Sequence, residues 1–117
     1  MEFDYSYLQN ENYVLISLKG KLMDKIQAHS ILSLMDEWLE SGKRKFILNL
    51  EELNYMNSSG LGVIINFLTK TRNKDGEIII CNVSEKINDL LVITKLHQVF
   101  NVVNSIKDAE VSFEKNN

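Results

Sequence analysis

Two adjacent serines followed by a Gly-Leu-Gly run, Ser58 to Gly62, are the residues of this sequence best suited to chemistry. A serine hydroxyl can accept a phosphoryl group, which adds about −1.5 to −2 charges at pH 7. Serine is also a preferred helix N-cap, a role worth about 1 kcal/mol. Capping alone does not account for two glycines in a first turn, because each costs up to about 1 kcal/mol against alanine inside a helix. We expect Gly60 and Gly62 to keep the turn free of bulk so that another molecule can approach.

A phosphorylated Ser58 would carry its charge at the start of a helix, where the helix dipole tolerates a negative group. A partner packed against the same turn would have to bury or repel that charge, and burying an unpaired charge is costly. Switching a complex from 1:99 to 99:1 requires about 5.5 kcal/mol of differential affinity, which such a burial could supply.

The following helix has an apolar stripe that we expect to face the core, or to form a docking patch where it is exposed. The stripe comprises Leu61, Ile64, Ile65 and Leu68, widened by Val63 and Phe67.

Other chemically capable groups do not indicate a second site. The two histidines, His29 and His97, are far apart in sequence and no Cys/His cluster accompanies them, so metal binding is not indicated. Cys81 lies in an apolar run and is expected to be an inert core thiol. The adjacent acids Glu51 and Glu52 lack a complementary base. The Gly-x-Ser-x-Gly pattern of a hydrolase nucleophile is absent, so an enzyme is the weakest functional hypothesis.

The composition is that of one ordinary globular domain. The 117 residues are 44% hydrophobic and 25% charged, and their net charge is −3, whereas nucleic-acid binding usually requires a basic face. A single cysteine cannot form an internal disulfide. The N-terminus has no signal-peptide pattern, and no apolar run approaches the roughly 18 residues of a membrane helix. We therefore predict a cytoplasmic protein that binds neither nucleic acid nor membranes.

Hydrophobic periodicity predicts the elements that position the serines. Apolar runs predict strands at residues 3–8, 13–18, 46–50, 77–83 and 99–103, the first two forming a hairpin. Helical spacing predicts helices that start at residue 24, at about residue 58, at residue 84 and at residue 105. Trp38 is expected at the core or rim of the first helix. Residues 51–57 are predicted to form a loop that leads into Ser58.

The element order β-β-α-β-α-β-α-β-α predicts the α/β fold class. Alternating strands and helices imply a mixed, mostly parallel sheet of four to five strands, covered by about four helices. We expect a single domain over residues 1–117, with about 3–113 ordered and 114–117 as a frayed tail. The serines would follow a buried strand at the carboxyl edge of the sheet, where open α/β folds place their ligands.

The sequence resembles the STAS domain family, and within it the bacterial anti-sigma factor antagonists, most closely those of sporulation. The resemblance spans nearly the whole chain and is carried by four segments. They are Phe-Ile-Leu-Asn-Leu at 46–50, Met-Asn-Ser-Ser-Gly-Leu-Gly-Val-Ile at 56–64, Gly-Glu at 76–77 and Ile-Ile-Cys at 79–81. It implies a STAS-like sheet of four or five strands with helices, which agrees with the element order.

The resemblance also implies a function. In this family the unphosphorylated antagonist binds an anti-sigma factor serine kinase and thereby frees the sigma factor. The kinase phosphorylates the antagonist. A metal-dependent serine phosphatase reverses the modification. By position, Ser58 is the phosphoacceptor. The partner-binding residues are Asn57, Ser59, Gly60, Leu61 and Gly62. No enzymatic activity and no cofactor are implied, and we expect a monomer when the protein is free.

Two positions depart from the family pattern. The family usually has Asp before the acceptor serine, and here Asn57 keeps an acceptor oxygen but loses the charge. This departure favours an alternative function, a scaffold or sensory protein-interaction module of the same family that is not phosphorylated. The second departure is Thr94-Lys95-Leu96, where relatives often have a glycine, and we expect a slightly different loop there.

Overall fold

Five strands and four α-helices lie within residues 2–115, the part of the chain that the structure, a computed structural model, describes. The strands are β1 (Phe3–Gln9), β2 (Val14–Leu22), β3 (Lys45–Met56), β4 (Glu77–Cys81) and β5 (Asn101–Val103). The helices are α1 (His29–Glu40), α2 (Ser58–Asn73), α3 (Glu85–Ile93) and α4 (Ile106–Lys115), and a 3-10 helix (Leu96–Gln98) precedes β5. The predicted order of strands and α-helices is confirmed.

One mixed sheet contains the five strands in the order β1-β2-β3-β4-β5. β1 and β2 form the predicted antiparallel hairpin, and the neighbours from β2 to β5 pair in parallel. In the hairpin turn, Asn10 Oδ1 accepts hydrogen bonds from the backbone amides of Asn12 at 2.8 Å and Tyr13 at 2.9 Å. The predicted mostly parallel α/β fold is confirmed. Because β3 is the central strand, the segment after it emerges from the middle of the sheet.

The helices cover the two faces of the sheet unequally. α1, α2 and α3 pack in the larger core cluster, which includes Phe46 of β3. α4 covers part of the other face with Ala109 and Phe113. Trp38 of α1 is buried, as predicted, and packs edge-to-face on Tyr7 with ring centroids 5.0 Å apart. The helix that carries the serines therefore lies on the larger core.

The predicted start of the first helix at residue 24 is wrong. α1 begins at His29, and residues 25–28 form turns. The side chain of Gln27 holds the preceding segment in a loop, because its Oε1 accepts from the backbone amides of Met23 at 2.6 Å and Asp24 at 3.1 Å. Such bonds between a side chain and the backbone compete with a first helical turn, and periodicity does not reveal them.

β3 is longer than predicted, and the predicted loop at residues 51–57 is wrong over most of its length. The strand continues to Met56 by pairing with the second half of β2, where Gly20 pairs with Leu53 and Leu22 with Met56. Two register shifts interrupt this pairing. Such irregularities disturb the alternation of apolar and polar residues that indicates a strand, so the sequence pattern concealed the extension.

Two other strands are shorter than predicted. β4 ends at Cys81 instead of residue 83, and the next residue, Asn82, has a left-handed backbone with φ 58° that does not continue a strand. β5 begins at Asn101 instead of residue 99, because the chain before it forms the 3-10 helix and a turn. Both differences lie at strand ends, where sequence-based boundaries are least certain.

Serine side chains cap the last two helices, at the residues where the sequence predicted these helices to start. Ser84 Oγ accepts from the backbone amide of Ile87 at 3.3 Å, and Ser105 Oγ accepts from that of Asp108 at 3.1 Å. α4 extends to Lys115, so residues 114 and 115, predicted as part of a frayed tail, are helical. Residues 116 and 117 lie outside the described part of the chain.

Lys95, within the Thr94-Lys95-Leu96 segment that was expected to form a different loop, adopts a left-handed backbone with φ 62° and ψ 15°. It follows Thr94, the C-cap of α3, and helices favour glycine at this position. The left-handed conformation costs a residue with a Cβ about 1–2 kcal/mol, while glycine loses about 0.4–1 kcal/mol more chain entropy on folding. Lys95→Gly is therefore expected to raise the free energy of unfolding by about 0.5–1 kcal/mol, as measured by urea denaturation.

The matched control for this prediction is Lys95→Ala, which removes the same charge but keeps a Cβ in the left-handed conformation. Its free energy of unfolding should stay within about 0.5 kcal/mol of wild type, as for most surface substitutions. An equal gain in both variants would show that charge, and not backbone strain, limits stability at this position.

Candidate functional site

The serine turn, residues 57–62, joins the end of β3 to the start of α2 at the carboxyl edge of the sheet. Asn57 is the N-cap: its backbone is extended, and its Oδ1 accepts from the backbone amide of Gly60 at 2.8 Å. The Asn57 carbonyl accepts from the backbone amide of Leu61 at 2.9 Å. The alternative in which a serine caps this helix is therefore wrong, because asparagine performs that role.

Ser58 and Ser59 occupy the first two positions of α2, and both are exposed. Neither hydroxyl forms a hydrogen bond within residues 2–115. α2 has 16 residues and no acidic residue in its first turn, so no carboxylate there offsets the positive end of its dipole. The Ser58 hydroxyl is thus accessible, has no capping role, and lies where a negative charge is tolerated.

The two glycines of the serine turn have different environments. Gly60 is buried, and a Cβ placed on it would lie 2.1 Å from the backbone oxygen of Leu22 at the end of β2. Gly62 is exposed, and a Cβ there would meet nothing within 4 Å. The expectation that Gly60 leaves room for another molecule is wrong, because the space is taken by this chain's own β2. For Gly62 the same expectation stays a prediction.

The apolar stripe of α2 belongs to the core. Its buried members are Leu61, Val63, Ile64, Phe67 and Leu68. Ile65 is half-buried and packs against the same core, so the stripe does not form an exposed docking patch. Among the five predicted partner-binding residues, accessible surface is offered by Asn57, Ser59 and Gly62, whereas Leu61 is only 6% exposed.

An exposed apolar group beside the serine turn was not identified from the sequence. Met23 and Ile26, in the loop between β2 and α1, are 40% and 85% exposed, and Tyr55 of β3 is 44% exposed. The loop starts next to the turn, because the backbone amide of Asn57 donates to the carbonyl of Leu22 at 3.4 Å. The sequence contained one indication of this exposure. Ile26 lies between polar neighbours, and it does not fall at helical spacing with the apolar residues of α1.

The remaining candidate groups lie outside the serine turn. Cys81 is buried, as predicted, and burial, with a smaller contribution from Glu51, raises the pKa of its thiol to about 11. A raised thiol pKa leaves little reactive thiolate at neutral pH. His29 is exposed on α1, and His97 lies in the 3-10 helix. Glu51 and Glu52 are exposed, as expected of solvated acids, but they lie on β3.

Among the described residues, no group of three or more His, Cys, Asp or Glu side chains is arranged to hold a metal ion. No helix in residues 2–115 has both the length and the apolar character needed to cross a membrane.

Comparison with known proteins identifies similar sequences. The model of the STAS domain family matches residues 5–109, which is most of the chain. The anti-sigma F factor antagonist of Paenibacillus polymyxa is 30% identical over 103 residues, which cover 84% of this chain and 87% of that protein.

Solved structures show the same fold. The crystal structure of the protein TM1081 from Thermotoga maritima matches with a TM-score of 0.83 and 24% identity, over 94% of this chain and 94% of that chain. The structure of the Bacillus cell fate determinant SpoIIAA in its phosphorylated form matches with a TM-score of 0.73 and 19% identity, over 93% of this chain and 97% of that chain. At these identities the structural likeness establishes the fold of the chain.

Proposed function

This chain belongs to the STAS domain family, and we propose that it is an anti-sigma factor antagonist that binds an anti-sigma factor serine kinase through the serine turn. Binding releases the sigma factor, and phosphorylation of Ser58 ends the binding. The Paenibacillus polymyxa relative is named an anti-sigma F factor antagonist. SpoIIAA, which shares the fold, has been solved in a phosphorylated form. The first name supports an antagonist, and the second supports control by phosphorylation.

The observation that carries the proposal is the accessible Ser58 hydroxyl at the first position of α2. Because Asn57 caps the helix, the Ser58 side chain can be modified without loss of the capping hydrogen bond. The backbone amides of the first helical positions have no partner within the helix. A phosphoryl group on Ser58 would therefore lie at a helix N-terminus, where amides and the dipole favour an anion in the free protein.

The proposed modification transfers the γ-phosphoryl group of ATP to Ser58. The bond between the γ-phosphorus and the oxygen that bridges to ADP breaks, a bond from phosphorus to Ser58 Oγ forms, and the hydroxyl proton passes to a base of the kinase. This chain supplies only the acceptor. A metal-dependent serine phosphatase would hydrolyse the phosphoserine, which restores the hydroxyl and releases inorganic phosphate. The exposure of Ser58 supports access by both enzymes.

Phosphorylation is expected to end binding through charge. The new group carries about −1.5 to −2 charges at pH 7, and the serine turn contains no basic side chain to pair with it. A partner that covers the turn would take this charge out of water with no basic side chain of the turn to pair with it, which is strongly unfavourable. The free protein keeps the phosphate hydrated, so the modification shifts the equilibrium toward the dissociated state.

Incubation with ATP and the serine-kinase anti-sigma factor encoded in the same genome is expected to place one phosphoryl group on Ser58. Mass spectrometry of the digested protein would locate it. Ser58→Ala should abolish the modification, whereas Ser59→Ala, which changes the equally exposed neighbour, should leave it in place. Modification of a different residue alone in the wild-type protein would contradict the assignment of Ser58.

Asn57 supports a second candidate function, a STAS scaffold or sensory module that binds its partners without being phosphorylated. Aspartate would cap α2 as asparagine does, so the capping bond does not explain why the family's charge is absent here. Asn57→Asp restores that charge and separates the two functions. In the leading proposal it changes the rate at which Ser58 is phosphorylated, whereas in the scaffold function neither protein is modified.

The proposal places the protein in the cytoplasm as a monomer when free, without nucleic-acid or membrane partners. The net charge of −3 supports the absence of a nucleic-acid partner. The compartment and the free oligomeric state stay predictions.

A further inference from the structure

The outer edge of β1 is open to another strand. β1 lies at one end of the sheet, and among the described residues no strand pairs with its outer side. An unpaired edge presents free N–H and C=O groups on which a further strand can form. We propose that Asp4 keeps this edge from pairing with β1 of a second copy of the chain, and that the edge self-associates once the Asp4 carboxylate is removed.

The hairpin decides which backbone groups of β1 face outward. The backbone amide of Asn10 donates to the carbonyl of Tyr13 at 3.1 Å, so the backbone groups of Asn10 face β2. Along an antiparallel strand, the backbone groups of successive residues face alternate sides. Counting back from Asn10, the outward groups belong to every second residue of β1, which are Phe3, Tyr5, Tyr7 and Gln9.

The side chain of Asp4 occupies one of these outward groups. Its Oδ1 accepts a hydrogen bond from the backbone amide of Tyr5 at 2.8 Å, which agrees with the outward direction of that amide. A strand that pairs with β1 over this residue needs the same amide as a donor, so the carboxylate must first be displaced. Because hydrogen bonds to a charged acceptor are stronger than those between neutral groups, the displacement opposes pairing.

Asp4 also places a charge on an edge that has no other protection within the strand. It is the only charged residue of β1, which contains neither lysine nor proline, two residues that often protect open edges. Across the hairpin Asp4 lies opposite Lys19, whose Nζ is 3.5 Å from Oε2 of Glu52. The nearest acidic residues along the chain, Glu2 and Glu11, lie beyond the two ends of β1.

A second copy of β1 fits the edge in an antiparallel arrangement. With the two-fold axis at Ser6, each Tyr5 lies opposite Tyr7 of the other copy, and outward backbone groups meet outward backbone groups. Aromatic pairs across two strands are favourable. Asp4 then lies opposite Leu8 of the other copy, where its charge has no partner. A two-fold interface gives both copies the same contacts, which favours the chain itself as the occupant and the carboxylate as the obstacle.

Pairing along β1 would form a small interface. Stable protein–protein interfaces bury about 1,200–2,000 Å², and one edge of seven residues buries less. Without the carboxylate, association is therefore expected to be weak and to require protein concentrations up to about 1 mM. The wild-type protein should stay monomeric at the same concentration, which agrees with the monomer expected for the free chain.

The test removes the carboxylate and measures self-association by sedimentation equilibrium. Asp4→Val removes both the charge and the acceptor and introduces a residue that favours strands. It is expected to form dimers with an association constant at least about 10-fold above that of wild type, because pairing no longer breaks a hydrogen bond to a charged group. Asp4→Asn keeps an acceptor for the Tyr5 amide but loses the charge, and its association should lie between the two.

Two further measurements connect the association to the edge. Glu11→Val removes the same charge from the exposed hairpin turn and should stay monomeric. Amide hydrogen exchange reports the contact directly, because the outward amide of Tyr7 should exchange more slowly in dimers of Asp4→Val than in the wild-type monomer. Thermal unfolding checks that each variant is folded.

Each outcome decides the role of Asp4. A folded Asp4→Val that stays monomeric at about 1 mM would overturn it, as would equal association of this variant and wild type. Dimers of Asp4→Val in which the Tyr7 amide gains no protection would place the interface elsewhere and also overturn it. Equal association of Glu11→Val and Asp4→Val would show that net charge, and not the edge, limits association. If Asp4→Val does not fold, Asp4→Asn decides instead, and association equal to wild type would then contradict the proposal.

Discussion

Ser58→Asp is expected to weaken binding of the anti-sigma factor about 100-fold, whereas Ser58→Ala should leave the affinity within a few-fold of wild type. Ser58 is exposed and its hydroxyl forms no hydrogen bond within residues 2–115, so neither change removes a bond from the free protein. The aspartate would place a charge in a covered interface whose turn contains no basic side chain. A 100-fold loss corresponds to about 2.8 kcal/mol, which is within reach of one unpaired charge.

The stability of Ser58→Asp separates this effect from misfolding. A carboxylate in the first turn of a helix stabilises it by about 0.3–1 kcal/mol through the dipole. The variant should therefore unfold at the same or a slightly higher temperature while it binds more weakly. Thr69→Asp, which adds the same charge at an exposed position further along α2, is the matched control and should retain affinity. Unchanged affinity in Ser58→Asp, measured by calorimetry, would contradict the proposed switch.

Gly60→Ala is expected to lower the free energy of unfolding by about 2–3 kcal/mol, as overpacking in a tightly packed site commonly does. The added methyl group would lie 2.1 Å from the Leu22 oxygen and 3.0 Å from the Cβ of Met56. The Leu22 oxygen belongs to the backbone of β2 and cannot move away by a change of rotamer. Either α2 or the end of β2 must shift, and the shift would strain the Asn57 bond to Leu22.

Gly62→Ala is the matched control in the same turn and should have the opposite sign. No atom lies within 4 Å of a Cβ at Gly62, and alanine is favoured over glycine in a helix by up to about 1 kcal/mol. Urea denaturation of both variants measures the difference. For a domain of this size, 1 kcal/mol corresponds to roughly 4 °C in Tm. Destabilisation of both variants by equal amounts would show that the turn tolerates no side chain and would contradict the assigned contact with Leu22.

The order of elements and the position of the candidate acceptor could be predicted because both depend on residues that are contiguous in the chain. Alternating apolar residues predicted the hairpin, helical spacing predicted α2, and the serines followed the central strand as expected. The prediction failed where a distant segment decides the local structure. Residues 51–56 form a strand because the second half of β2 pairs with them through a shifted register. The first helix starts late because Gln27 bonds to the backbone behind it.

At the candidate site, too, the local motif was predictive, whereas contacts with distant segments could not be predicted. The Ser-Ser-Gly-Leu-Gly run indicated Ser58, but the cap belongs to Asn57, because the chain enters the helix one residue earlier than a serine cap requires. Leu61 and Gly60 were predicted to bind a partner and are buried. The exposed apolar residues Met23 and Ile26 were not selected, because their neighbours in sequence do not show that their loop starts beside the serine turn.

The sequence by itself determined the α/β fold, the strand–serine–helix arrangement and the identity of Ser58 as the acceptor candidate. The fold and the arrangement follow from periodicity and from a local motif, which act over a few neighbouring residues, and the choice of Ser58 follows from the resemblance to the family. The tertiary structure alone decided that Gly60 serves the contact with Leu22, that Ser58 has no capping role and that the loop between β2 and α1 starts beside the turn. Those facts depend on pairing between β2 and β3 across the intervening α1, and such long-range contacts leave no periodic signal in the chain.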